Sequence, residues 1–174
     1  ANRLEVWWSF RMNDTHDNQS SRQDWQLSQY KRNNPHLMMS PYRRQFPYGW
    51  AHGPSWTYTA LNYEFEEVRN KALRILEDVA TRYDVDGFEL DFLRFPVFFR
   101  EQMLGLPVTD AQRQLMTEWL ASVRAMADRV AKERGRPFVI AVRVHDSVGY
   151  NYETGLDLAA WLERDLVHIV IASD

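Results

Sequence analysis

The run Tyr83-Asp84-Val85-Asp86-Gly87-Phe88-Glu89-Leu90-Asp91-Phe92-Leu93-Arg94-Phe95-Pro96 constrains this chain more than any other stretch. Phe88, Leu90 and Phe92 alternate with Glu89 and Asp91. A period of two is the pattern of a β-strand, whose successive side chains leave on opposite faces. Along Val85–Phe92, Phe88, Leu90 and Phe92 fall on one face and Gly87, Glu89 and Asp91 on the other. Such a strand needs a hydrophobic layer on one side and, on the other, a setting in which two acids have a use.

The neighbours of this strand suggest what that setting is. Before it, Val68, Ala72, Ile75, Leu76 and Val79 mark a helix from about Glu66 to Arg82, because they fall on one stripe at a 3.6-residue period. After it, Thr109-Asp110-Ala111-Gln112 reads as a capping box. The helix it opens carries Leu115, Met116, Trp119, Leu120, Val123, Met126, Ala127 and Val130 on one side and stops at Gly135, with Lys132, Arg134 and Arg136 at its carboxyl end. Pro137–Val144 is a further strand, Asp157–Arg164 a short helix and Val167–Ala172 a last strand. Upstream, Val6, Trp8, Phe10 and Met12 share one face of a first strand, with Ser9, Arg11 and Asn13 on the other. Tyr58–Tyr63 reads as another short strand. Between them, residues 13–57 are polar and turn-rich, with Pro35, Pro41, Pro47, Gly49, Gly53 and Pro54, and a connection of that length is usually functional or disordered.

Strands that alternate with amphipathic helices imply parallel pairing and right-handed crossovers, with the helices outside. The predicted fold class is α/β: a partial (β/α)8 TIM barrel with about five parallel strands and outer helices. At 174 residues the chain is short of the ~250 typical of a closed barrel, so residues 1–174 read as a single domain that is a fragment of a larger one. The start at Ala1, without an initiator Met or a signal peptide, fits a processed or excised piece. The rival architecture, an open doubly wound sheet, lacks a Gly-rich turn after any strand.

Composition removes several classes of function. The net charge is −3 and the 21 basic residues are scattered, so nucleic acid is not an expected partner. No apolar run approaches the ~18 residues of a membrane span. There is no Cys, hence no disulfide framework and no thiolate metal site. Aromatics are in excess at 14%, and Trp50, Trp56, Tyr58, Tyr150 and Tyr152 fall in loop-like stretches, where they suit either stacking on sugar rings or packing of long loops.

In a parallel barrel, inward residues at the carboxyl ends of strands line the active-site mouth. Glu89 and Asp91, two residues apart on one face, lie ~6.5–7 Å apart by strand rise. Partial burial and mutual repulsion would separate their protonation behaviour, as acid/base or acid/nucleophile work at a glycosidic bond requires. The bland alternative is that they pair with inward arginines, of which Arg11 and Arg143 are candidates, with Arg94 just beyond. Arg11-Met12-Asn13-Asp14-Thr15-His16-Asp17 and Arg143-Val144-His145-Asp146 add polar clusters at the same rim, and Asn62, Tyr63 and Asp174 are further strand-end residues. A metal alternative uses His16, Asp17, His145, Asp146 and one motif carboxylate, a mixed N/O set for a divalent ion, but no H-x-H or H-E-x-x-H pattern accompanies it.

Leu61-Asn62-Tyr63, Glu67-Val68-Arg69 and the run Tyr83–Pro96 resemble the glycoside-hydrolase-like family 10 group of bacterial TIM-barrel proteins, over about 40 residues. The resemblance implies a (β/α)8 barrel, a carbohydrate substrate and a frequently exported, secreted or periplasmic, bacterial protein. Glu89 departs from the group's pattern, in which that position is often His. A fainter similarity is to the fourth strand of family-18 chitinases, which carry alternating acids after an Asp-Gly pair and end in a catalytic Glu. The corresponding residue here is Leu93, which argues against their substrate-assisted mechanism.

The expectation is a glycoside hydrolase acting on a polysaccharide or oligosaccharide, with Asp91 and Glu89 catalytic and their roles unassigned, and no cofactor or metal. Arg11, Asn13, His16, Asn62, Arg94, Arg143, His145 and Asp174 are the candidate substrate-binding residues. A second acid on a missing strand, a metal-dependent hydrolase such as a carbohydrate deacetylase, and a non-catalytic sugar-binding barrel stay open as alternatives.

Overall fold

A computed structural model describes residues 4–18, 26–40 and 57–174. In chain order the elements are β1 (Trp7–Arg11), α1 (Gln29–Asn33), α2 (Glu66–Arg82), β2 (Gly87–Asp91), α3 (Arg100–Met103), α4 (Asp110–Arg134), β3 (Val139–His145), α5 (Val148–Glu153), α6 (Leu158–Glu163) and β4 (Ile169–Ser173). The four strands form one sheet in the order β1-β2-β3-β4, every pair parallel. Consecutive parallel strands with helical crossovers are the arrangement of an arc of a (β/α)8 barrel.

The register places Trp7, Ser9 and Arg11 beside Gly87, Glu89 and Asp91, and these beside Val139, Ala141 and Arg143. The other parity, Phe88, Leu90, Ile140, Val142 and Val144, is fully buried with Leu76, Met116, Leu120, Val123 and Trp161. The helices therefore cover one face, and the acids of β2 stand on the opposite one, as the alternation predicts. β4 carries exposed Ile169 and Val170.

Helix boundaries follow local chemistry. Thr109 accepts from the Gln112 N–H while Gln112 Oε1 accepts from the Thr109 N–H, so the expected capping box is formed. Gly135 ends α4 at φ 64°, where a side chain would be strained. Gly87 is needed for closeness: a Cβ there would lie 2.4 Å from the Val139 carbonyl oxygen.

Among the described residues there are four strands where about five were expected. Residues 57–65 are turns, joined to the rest by an isolated antiparallel bridge between Met38 and Leu61. The apolar residues there serve a different end: Tyr63 is buried and its hydroxyl donates to the Met12 carbonyl (2.6 Å), while Ala60 packs with Met39, Val97 and Met103. Short apolar runs look alike whether they join a sheet or cap a core.

Candidate functional site

At the carboxyl end of β2, Glu89 is held on both sides. Ser9 Oγ donates to its Oε1 (3.0 Å) from β1, and Arg143 Nη2 meets its Oε2 (3.0 Å) from β3. Asp91 lies in register between Arg11 and Arg143 and is 8% exposed. Its Oδ1 accepts the N–H groups of Leu93 (3.1 Å) and Arg94 (3.0 Å), which shapes the turn that follows the strand. That turn contains Phe95 at φ 55°, a left-handed conformation costing a bulky residue on the order of 1–3 kcal/mol.

A second group lies on the β1 side of the mouth. Arg11 Nη1 donates to Asp14 Oδ2 (3.1 Å), Asp14 Oδ1 meets His16 Nδ1 and accepts the His16 N–H (2.9 Å), and His16 Nε2 faces Arg94 Nη2 (3.3 Å). This network assigns the His16 proton to Nδ1 and the lone pair to Nε2. Burial works to raise the Asp14 pKa, but hydrogen bonds from the His16 backbone, the His16 ring and Arg11 together hold it below the usual value. The His16 ring meets Phe95 edge-on at 5.2 Å.

On β3, His145 packs against Tyr150 at 4.4 Å, and its backbone is clamped by Asn151, which accepts its N–H (3.2 Å) and donates to its carbonyl (2.8 Å). Burial holds the His145 imidazole below its ordinary range, against the pull of Asp146. Among the described residues, Arg143 Nε and His145 Nε2 are buried without a hydrogen-bond partner.

The structure thus brings Glu89, Asp91, Arg11, Arg143, His16, Arg94 and His145 to one rim. Asn13 and Asn62 do other work. Asn13 is 3% exposed, both of its amide hydrogens go to the carbonyls of Leu61 (2.9 Å) and Val97 (2.5 Å), and its oxygen accepts the Leu61 N–H (2.8 Å). Asn62 is buried, and its oxygen accepts the Glu64 N–H (3.1 Å). Asp174 is exposed beyond β4. Ser9 and Asp14 were legible only as members of a polar strand face and a polar cluster; the register shows what each one holds.

The metal set is not assembled. Asp17 is taken by buried Lys31 (2.7 Å) and by Thr59 (2.7 Å), His16 belongs to the Asp14–Arg94 chain, and among the described residues no three His, Asp or Glu side chains are grouped to hold an ion. Of the loop aromatics, Trp50 and Trp56 lie outside the described residues. Tyr58 packs on the Met39 cluster, Tyr150 on His145, and Tyr152 lies under Arg113 (4.0 Å) with its hydroxyl on Asp110 (3.1 Å). No helix among the described residues is long and apolar enough to cross a membrane.

No family model and no curated protein matches this chain. Solved structures similar in backbone include a novel glycoside hydrolase family 18 N-acetylglucosaminidase from Paenibacillus barengoltzii and an α-amylase from Anoxybacillus. The first has a TM-score of 0.46 and 19% identity, covering 62% of this chain and 30% of that one. The second has a TM-score of 0.46 and 17% identity, covering 88% of this chain and 29% of that one. The chain thus spans 30% and 29% of their lengths, and likeness at this level carries no argument about chemistry.

Proposed function

We propose that the open face of the sheet is part of the mouth of a glycoside hydrolase that cleaves O-glycosidic bonds of a polysaccharide or oligosaccharide. The observation that carries this reading is the pair Glu89 and Asp91, adjacent inward positions of β2, flanked in register by Arg11 and Arg143. Two carboxylates in different surroundings are the basic equipment of glycosidic cleavage. Here one is bound by a hydroxyl and a guanidinium, the other by two backbone N–H groups. The resemblance of the β2 segment to the glycoside-hydrolase-like family 10 group favours the same reading. Arg11, His16, Arg94, Arg143 and His145 are the polar groups that would meet sugar hydroxyls, while Asn13 and Asn62 fix the loops beneath them.

A second reading is a sugar-binding barrel without catalysis. It is favoured by the degree to which both acids already have protein partners, since both Glu89 oxygens and one Asp91 oxygen are engaged. Release of reducing ends from a polysaccharide panel separates the two. A hydrolase cleaves at least one member, whereas a binding barrel retains a glycan, keeps its affinity in Asp91→Asn and cleaves none.

A further inference from the structure

Arg94 differs from the other two guanidinium groups at the rim. Arg11 is paired with Asp14 and Arg143 with Glu89, but among the described residues the Arg94 guanidinium meets no carboxylate. Its Nη2 contacts His16 Nε2 at 3.3 Å, and its central carbon lies 5.2 Å from the centroid of the Phe95 ring. Both supports are themselves fixed. Asp14 holds His16 from behind through Nδ1, and Phe95 is kept edge-on to His16 by a backbone at φ 55°. Asp91 anchors the Arg94 backbone through its N–H. The result is an exposed cation held against an aromatic ring and an imidazole, with its Nε and Nη1 unengaged among the described residues.

A guanidinium presents parallel N–H donors at the spacing of a carboxylate's two oxygens, and its charge is matched by a carboxylate but not by the hydroxyls of a neutral sugar. Its contact with His16, which follows β1, turns it toward the β1 side of β2. We propose that Arg94 is the recognition point for an acidic saccharide, receiving the carboxylate of a uronic acid residue, with His16 and Phe95 as positioning residues. This rests on the carbohydrate reading above and names the substrate class of the same mouth.

The test is calorimetric titration of the protein with acidic oligosaccharides (galacturonan, glucuronan and alginate), each beside its carboxyl-reduced counterpart, together with neutral glucans and a sulfated glycan. At least one acidic oligomer is expected to bind about 10- to 100-fold more tightly than its reduced form, the range of a charge-assisted paired hydrogen bond. Arg94→Ala, an exposed change that circular dichroism will show to be folded, should lower affinity for the acidic form far more than for its reduced form, so that the difference between the two disappears. Arg94→Lys should restore only part of it. Binding of neutral oligomers with no preference for any acid, a preference that survives Arg94→Ala, or equal affinity for the sulfated glycan overturns the inference and leaves the carbohydrate reading standing. If nothing in the panel binds, both fall.

Discussion

Arg143 donates to Glu89 at 3.0 Å although its register partner on β2 is Asp91. The residue opposite Glu89 is Ala141, fully buried, and its small side chain leaves the space through which Arg143 leans back by one inward position. The consequence is a division of labour between the two acids: the arginine of β3 serves the first, and the backbone of the following turn serves the second.

Replacing Arg143 by Met should therefore separate function from stability. The arginine side chain is 40% exposed and that of Glu89 17%, so its loss should cost about 1–2 kcal/mol in urea unfolding. Glycan turnover or affinity should fall by well over that equivalent, since Glu89 loses the partner that aims it. Equal small losses in both measurements would show that the pair is only structural.

Asn13 should behave in the opposite way. Its three hydrogen bonds, buried to Val97 and partly buried to Leu61, tie the end of β1 to both, and Asn13→Ala leaves an N–H and two carbonyls without partners. A loss of about 2–4 kcal/mol is expected in denaturant unfolding, from desolvated groups at about 1–3 kcal/mol each with partial rescue by water. An effect below 1 kcal/mol would mean that these loops are held by something else.

Gly87→Ala tests the strand itself. The added Cβ would meet the backbone oxygen of Val139 at 2.4 Å, and backbone cannot rotate away as a side chain does. Destabilisation of at least about 2 kcal/mol is expected by thermal or urea unfolding, toward the upper part of the overpacking range. A neutral outcome would contradict the register of β2 against β3.

A pH dependence follows from His168. Burial first, and then the Arg124 charge, depress its pKa, against the opposing pull of Asp165 and Asp128. Its Nδ1 also accepts the Ile140 N–H (3.0 Å), which requires the neutral ring. A depressed folded value means that the unfolded chain takes up the proton first. The stabilisation is therefore complete above the unfolded pKa of ~6.5 and is lost as pH falls from there through the lower folded value. Urea midpoints of the wild type and His168→Ala, compared at pH 8 and pH 5, should differ more at the higher pH. A difference independent of pH would remove His168 from the account.

The elements that were legible in the sequence share one property: their signal is local or periodic. The α4 capping box, the Gly135 stop and the parity of Phe88, Leu90 and Phe92 against Glu89 and Asp91 depend on residues within a few positions of one another. What was not legible depends on contacts across the chain. Tyr58–Tyr63 looks like a strand until Tyr63 is seen reaching Met12, and Asn13 looks like a sugar ligand until Leu61 and Val97 are seen on both sides of it. In the Arg11–Asp14–His16–Arg94 chain the first three residues were legible as one local polar cluster, whereas the link from His16 to Arg94 crosses 78 positions and was not.

The central claim is that Glu89 and Asp91 do chemistry on a glycan. It is tested most directly by measuring reducing-end release for the wild type, Glu89→Gln and Asp91→Asn on whichever polysaccharide the wild type cleaves, with unfolding curves beside each. Loss of a working catalytic carboxyl should lower kcat by about 10²- to 10⁴-fold in at least one of the two variants while the protein stays folded. Cleavage by both variants at the wild-type rate would contradict the account.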